Sequence, residues 1–261
     1  MNRPLRIACL GECMIELSDL AADRREARIG VAGDTLNTAV YLARLLPNKL
    51  ATVSYLTALG PDTLSETMLR FMQDEGIDTG QIARLDDKLP GLYAIELDDT
   101  GERSFRYWRS ESAARSMFRP GALSPEVLQE FDLIYLSGIS LAILPADHRE
   151  ALLANLRGLK TKGCQIVFDS NYRPTLWDSV AEARSAMSAA WQARTLALPS
   201  LDDEIALHGP ASAEEVLARI VASGATEIVL KRGAAGPLLW YGGAVRAPSF
   251  DAAPRVRDST A

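Results

Sequence analysis

Six short apolar runs alternate with stretches of helical period along the chain, and this alternation constrains the fold more than any other feature. The runs occupy residues 7–10, 53–59, 133–137, 166–169, 195–198 and 227–230. They are brief and largely apolar, as strands buried on both faces are. Between them, 34–46 sets Leu36, Ala39, Val40, Ala43 and Leu46 on one stripe, and 62–75 does the same with Leu64, Met68, Leu69 and Met72. Residues 146–161, 179–193 and 212–222 follow the same rule. Strand and helix taking turns implies an α/β fold with parallel strands and helices on both faces. With 261 residues, 48% of them apolar, the chain can bury a core, and its length suits one or two domains.

The helix boundaries carry local signals. Thr63-Leu64-Ser65-Glu66, Ser179-Val180-Ala181-Glu182 and Ser212-Ala213-Glu214-Glu215 have the spacing of capping boxes, and Ser124-Pro125-Glu126 reads as an N-cap followed by proline at the first helical position. Gly76, Gly163 and Gly224 follow helical patterns where a left-handed C-cap is wanted. One stretch interrupts the alternation. Runs at 92–97 and 103–108 flank Asp98-Asp99-Thr100-Gly101, which is hairpin chemistry. A period of two puts Tyr93 and Ile95 on one face of the first strand, and Phe105, Tyr107 and Arg109 on one face of the second. Such a hairpin is either a cover for a cleft or an ornament on a sheet edge.

Composition removes several function classes. Lys plus Arg total 28 against 34 Asp plus Glu, a net charge of −6, which argues against a nucleic-acid partner. Two histidines (His148, His208) and three scattered cysteines (Cys9, Cys13, Cys164) supply neither zinc-ligand spacing nor a disulfide framework. The cysteines fit a reducing compartment. No secretory leader is read at Met1 to Leu10, and the apolar run 133–144, broken by Ser137, Gly138 and Ser140, is too short to cross a bilayer. A cytoplasmic enzyme without a membrane partner is expected.

In doubly wound sheets ligands lie beyond the carboxyl ends of the strands, so polar residues just after the apolar runs are the candidates. Gly11-Glu12 follows the first run. Gly33-Asp34-Thr35-Leu36-Asn37 opens the first helix; Asp34 is either an N-cap or, with Asn37 one turn on, a grip for hydroxyls. Asp169-Ser170-Asn171-Tyr172-Arg173-Pro174 crowds a carboxylate, an amide, a phenol and a guanidinium at a strand end, and Arg suits planar recognition of carboxylate or phosphate. The alternative is a polar loop whose Arg pairs with a surface acid. Lys231-Arg232-Gly233-Ala234-Ala235-Gly236 is either a phosphate loop or a plain turn. Neither a P-loop nor a dinucleotide fingerprint is present. Ser200-Leu201-Asp202-Asp203-Glu204 could touch a magnesium shell, but a helix cap is favoured.

Taken in order, these segments resemble a known family. Gly11-Glu12-Cys13-Met14-Ile15-Glu16-Leu17, Gly33-Asp34-Thr35-Leu36-Asn37, Leu89-Pro90-Gly91-Leu92-Tyr93, Thr100-Gly101-Glu102-Arg103, Tyr107-Trp108-Arg109, the stretch 136–144, Phe168-Asp169-Ser170-Asn171-Tyr172-Arg173-Pro174 and Lys231-Arg232-Gly233 are similar to the ribokinase-like (PfkB) sugar kinases, and among them to those acting on 2-keto-3-deoxygluconate. The resemblance runs from residue 7 to the end. It implies a three-layer α/β/α ribokinase-like fold, a single domain over 1–261, with a small β-sheet lid whose strands lie around 12–32 and 90–110. It further implies transfer of the γ-phosphoryl of ATP, with Mg2+, to a sugar hydroxyl. Gly33, Asp34 and Asn37 resemble the residues that bind sugar hydroxyls; Tyr93, Tyr107 and Arg109 resemble lid contacts to substrate. Arg173 resembles the catalytic arginine near the substrate carboxylate and the transferred phosphate. Asn171, Lys231, Gly233 and Gly236 resemble the nucleotide side. No metal ligand is assigned. A sugar acid needs cations where a neutral sugar does not, and Arg109 and Arg173 are expected to meet that need by converging over one crevice. Lid edges can also pair across subunits, making a homo-oligomer an expectation.

Two departures stand out. Ala32 occupies the place of the first glycine in the family's Gly-Gly-Asp, and Asp258-Ser259-Thr260-Ala261 resembles only the opening of its signature segment. The resemblance places the glycine-rich anion hole and the aspartate base beyond Ala261, so the C-terminal part of the domain is expected to be missing and this chain alone to be unstable. The competing readings are a fructokinase-like sugar kinase and a catalytically inactive sugar-acid binding protein.

Overall fold

The structure, a computed structural model, describes residues 3–20, 26–97 and 103–249. The elements run β1 (Leu5–Leu10), β2 (Met14–Ser18), β3 (Arg28–Ala32), α1 (Asp34–Leu45), β4 (Ala51–Leu56), β5 (Ala58–Leu59), α2 (Thr63–Asp74), β6 (Ala83–Arg84), β7 (Gly91–Leu97) and β8 (Arg103–Trp108), then β9 (Leu133–Ser137), α3 (Gly138–Ala142), α4 (Ala146–Thr161), β10 (Gln165–Asp169), α5 (Val180–Ala193), β11 (Leu196–Leu198), α6 (Leu201–His208), α7 (Ala213–Ala222), β12 (Glu227–Leu230), β13 (Leu238–Tyr241) and β14 (Ala244–Arg246). They fall into two compact units that divide after Val127. Among the described residues no helix is long and apolar enough to cross a membrane.

In the first unit β1 and β4 pair in parallel, from Leu5 opposite Ala51 to Leu10 opposite Leu56, with α1 as the crossover. Leu36, Ala39 and Val40 bury the apolar stripe of α1, and Met68 and Met72 bury that of α2. A separate four-stranded sheet, ordered β3-β2-β7-β8, carries the hairpin. Its register sets Tyr93 opposite Tyr107 and Ile95 opposite Phe105, bringing together the faces that the period of two defines within each strand.

The second unit is a sheet in which β9, β10, β11 and β12 are parallel and β13 and β14 extend it antiparallel. Helices connect the parallel strands, and the ring of Phe168 on β10 meets Trp191 of α5 edge-on at 4.7 Å. All three cysteines are free and buried. Burial without a compensating cation pushes the Cys9 thiol up to about 12 and the Cys164 thiol to about 11.

Several local expectations change. The run 53–59 is two strands, β4 and β5, parted at Thr57. Asp62 caps α2 in place of Thr63: its Oδ1 accepts from the backbone N–H of Leu64 and Ser65 at 3.0 and 3.1 Å, and a carboxylate one residue earlier satisfies the same orphan donors. Ser179 accepts from Glu182, but the return bond of the box is replaced by an ion pair from Glu182 to Arg149. Ser212 and Glu215 form the full box. Ser200 gives α6 no side-chain cap; Glu204 is buried instead against Arg219, at 2.9 Å. After Ser124 comes a 3-10 helix, Pro125–Glu130. The expected glycine C-caps at 76, 163 and 224 all adopt positive φ. The turn 98–101, Glu102 and the terminal 258–261 lie outside the described residues.

Candidate active site

The expected site residues form one group in each unit. In the first, α1 begins at Asp34 with Gly33 as its N-cap. Gly33 is required by space: a Cβ there would stand 2.5 Å from the carbonyl oxygen of Glu12. Asp34 and Asn37, three positions apart on the helix, share a half-buried face, and the Asn37 N–H donates to the Gly33 carbonyl at 2.7 Å. On the lid sheet Tyr93 and Tyr107 lie 5.7 Å apart between ring centroids, and the Arg109 guanidinium stands 5.8 Å from the Tyr107 ring. The Tyr93 hydroxyl donates to the Glu16 carboxylate. Tyr107 and Arg109, with Ile15, Leu92, Trp108 and Leu64, help line a cavity of about 430 Å³.

Arg109 is not the free cation that its expected role suggests. Its Nη2 donates to the carboxylate of Glu12, which the hydroxyl of Ser112 also reaches. The Glu12 side chain is fully buried and that of Arg109 is 10% exposed. Burial raises the Glu12 carboxyl above its ordinary value, against the opposing pull of Arg109 and Ser112. The Arg109 Nε is buried without a hydrogen-bond partner.

The second unit gathers its group at the carboxyl ends of β10, β11 and β12. The Lys231 ammonium donates to both oxygens of Asp169 at 2.6 Å, with the Lys231 side chain 43% exposed. Asp169 Oδ1 also accepts from the Asn171 backbone N–H at 3.1 Å. Asn171 holds a left-handed φ of +27°, unusual for a residue with a side chain. Arg173 donates to the Tyr172 carbonyl at 2.9 Å and lies 3.7 Å from Asp203, with its side chain mostly exposed. Asp203 accepts from Ser170, whose oxygen accepts the Ser200 N–H. Gly233 and Gly236 take positive φ values in the turn after β12, and a Cβ at Gly233 would meet nothing within 4 Å.

An exposed ammonium, an amide and an open glycine turn fit a polyphosphate in kind. Magnesium finds no ready-made cage: among the described residues no three His, Cys, Asp or Glu side chains stand close enough to hold a metal. In the sequence Glu12 and Asp169 stand in candidate segments without a role of their own and Asp203 in a segment read as a helix cap, while Glu16 and Ser112 carry no local signal, because the partners of all five lie far away along the chain.

Comparison with known proteins shows the family. A 2-dehydro-3-deoxygluconokinase of Escherichia coli K12 is 47% identical over 231 residues, spanning 88% of this chain and 74% of that protein. One from Dickeya dadantii is 49% identical over 230 residues, spanning 87% and 73%. Among solved structures, an ATP-bound fructokinase from Xylella fastidiosa superposes with a TM-score of 0.82 at 24% identity, covering 98% of this chain and 76% of its own, and so shows the ribokinase-like fold. The pfkB family carbohydrate kinase model matches residues 5–261, a span that takes in both the lid group and the strand-end group. By that match over nearly the whole chain, and by relatives close to half identical, the chain belongs to the pfkB family of carbohydrate kinases.

Proposed function

We propose that this chain phosphorylates 2-keto-3-deoxy-D-gluconate with ATP, yielding 2-keto-3-deoxy-6-phosphogluconate. The observation that carries the reading is the 47–49% identity to 2-dehydro-3-deoxygluconokinases over nearly nine-tenths of the chain. The family match over 5–261 supports reading the chain as one domain.

Phosphoryl transfer needs positioning and charge stabilisation more than covalent help from the protein. ATP, when bound with Mg2+ on its phosphates, supplies the phosphoryl group. In our reading Lys231 and the turn at Gly233 and Gly236 hold its phosphates, with Asn171 beside them. Asp34 and Asn37, with the close-packed Gly33, grip the sugar hydroxyls. Tyr93 and Tyr107 cover the sugar from the lid. Arg173, exposed and only loosely paired with Asp203, is the cation free to turn toward the substrate carboxylate and the transferred phosphate. Arg109 contributes through whatever part of its guanidinium Glu12 does not hold. Among the described residues we assign none as the base for the attacking hydroxyl. A cytoplasmic location and a homo-oligomer joined through the lid edges complete the reading; Trp108 and Ile29, both exposed on that sheet, support the latter.

A coupled assay of ADP release tests the proposal. Turnover with 2-keto-3-deoxygluconate well above that with fructose is expected; equal or greater turnover with fructose overturns it.

A further inference from the structure

Four passages of chain connect the lid sheet to the rest of the first unit: β1 into β2 through residues 11–13, β3 into α1 through Gly33, the entry to β7 at Gly91, and the exit from β8 through residues 109–112. All four meet at Glu12. It lies in the first passage. Its carbonyl oxygen lies against Gly33 so closely that a Cβ would come within 2.5 Å, and its Oε1 would stand 2.8 Å from a Cβ on Gly91. Its carboxylate accepts from Arg109 and from Ser112 in the fourth. The third and fourth passages are also stitched directly, by the Ala113 N–H donating to the Leu89 carbonyl at 2.8 Å.

We propose that Glu12 is a positioning residue: it pins all four lid connections at one point, and so sets where Tyr93, Tyr107 and Arg109 stand over the sugar acid. The two glycines are part of the device. At 33 and at 91 any side chain would enter the space the pin occupies, so close backbone approach and a buried carboxylate go together. A charge taken out of water is tolerated here because a guanidinium and a hydroxyl both donate to it. Neutral chemistry would hold the passages less firmly, since hydrogen bonds to an ionised acceptor are about twice as strong as neutral ones. Glu12 is not required to touch the substrate. Its effect passes through Arg109 and the strands that end beside it.

This proposal rests on the lid contacting the sugar acid, and the test separates the two. Glu12→Gln keeps the shape and removes the charge. Amide hydrogen exchange without ligand is expected to speed up about tenfold in β7 and β8 while β1 and β4 stay unchanged, reflecting the loss of a charged hydrogen bond. The KM for the sugar acid is expected to rise about tenfold with the KM for ATP within about twofold. Should Glu12→Gln not fold, Ser112→Ala removes one attachment, keeps the ion pair, and is expected to shift the same two readouts in the same direction by less. Exchange that rises evenly through the unit, or a sugar-acid KM that stays put, overturns the pin. Faster exchange confined to β7 and β8, together with a wild-type protein that does not phosphorylate the sugar acid, supports the pin and overturns the functional reading instead.

Discussion

Two cation–carboxylate pairs of the same chemistry sit in this molecule under opposite conditions. Glu12 and Arg109 are sealed in the first unit, the acid fully buried and the base nearly so. Asp169 and Lys231 are open on one side only in the second, the lysine side chain 43% exposed and the aspartate 13%. A sealed pair cannot trade partners cheaply, because parting it strands a charge away from water. An exposed pair is held weakly and can exchange its carboxylate for an arriving phosphate. The first arrangement suits a fixed joint and the second a ligand-binding cation.

Substitutions can break or sharpen this contrast. The largest effect is expected from Glu12→Ala, which leaves Arg109 buried and unpaired: a loss of about 3–5 kcal/mol in urea unfolding, against a smaller loss of about 1–2 kcal/mol for Asp169→Ala, whose partner lysine stays in water. Comparable losses at both sites would erase the distinction. Next comes Arg173→Ala, expected to raise the sugar-acid KM by about ten- to a hundredfold through loss of a charged hydrogen bond, with stability little altered. Steady-state kinetics with the acid and with a neutral sugar would show it, and an equal effect on both acceptors would remove carboxylate recognition from Arg173. Lys231→Ala should then raise the KM for ATP by about tenfold and leave that of the sugar acid nearly unchanged.

The smallest effect is a pH dependence. Burial holds the folded Glu12 carboxyl above its ordinary 4.5. Between 4.5 and the raised folded value the native protein binds more protons than the unfolded chain, so this group's contribution to stability falls as pH rises through that window. Glu12→Gln lacks that term, while Glu204, also raised by burial, titrates in both proteins. The stability of the variant relative to wild type should therefore climb with pH across the window. A flat difference in denaturation curves from pH 4 to pH 7, on the order of the range where such carboxyls titrate, would contradict it.

The frame is legible in the sequence wherever its signals are local. Strand and helix periods, the glycines at 76, 163 and 224, and the full box at Ser212 all follow from residues a few positions apart, as does the sharing of one strand face by Tyr93 and Ile95. Asp62 shows the limit even there, since two adjacent residues compete for one set of orphan N–H groups and the carboxylate wins. The pin is not legible, because Glu12 meets Arg109 and Ser112 across 97 and 100 positions. No spacing rule reaches that far. The same distance explains why Arg109 reads as an available cation in sequence and is found already engaged.

The sealed thiols of the first unit supply a built-in clock. Cys9 and Cys13 lie there, Cys13 directly beside Glu12, while Cys164 of the second unit lines a surface pocket. Burial keeps Cys9 and Cys13 protonated and out of reach, so an alkylating reagent modifies them only when their surroundings open. Mass-resolved labelling of the native protein therefore times the opening of the first unit, without a single engineered probe.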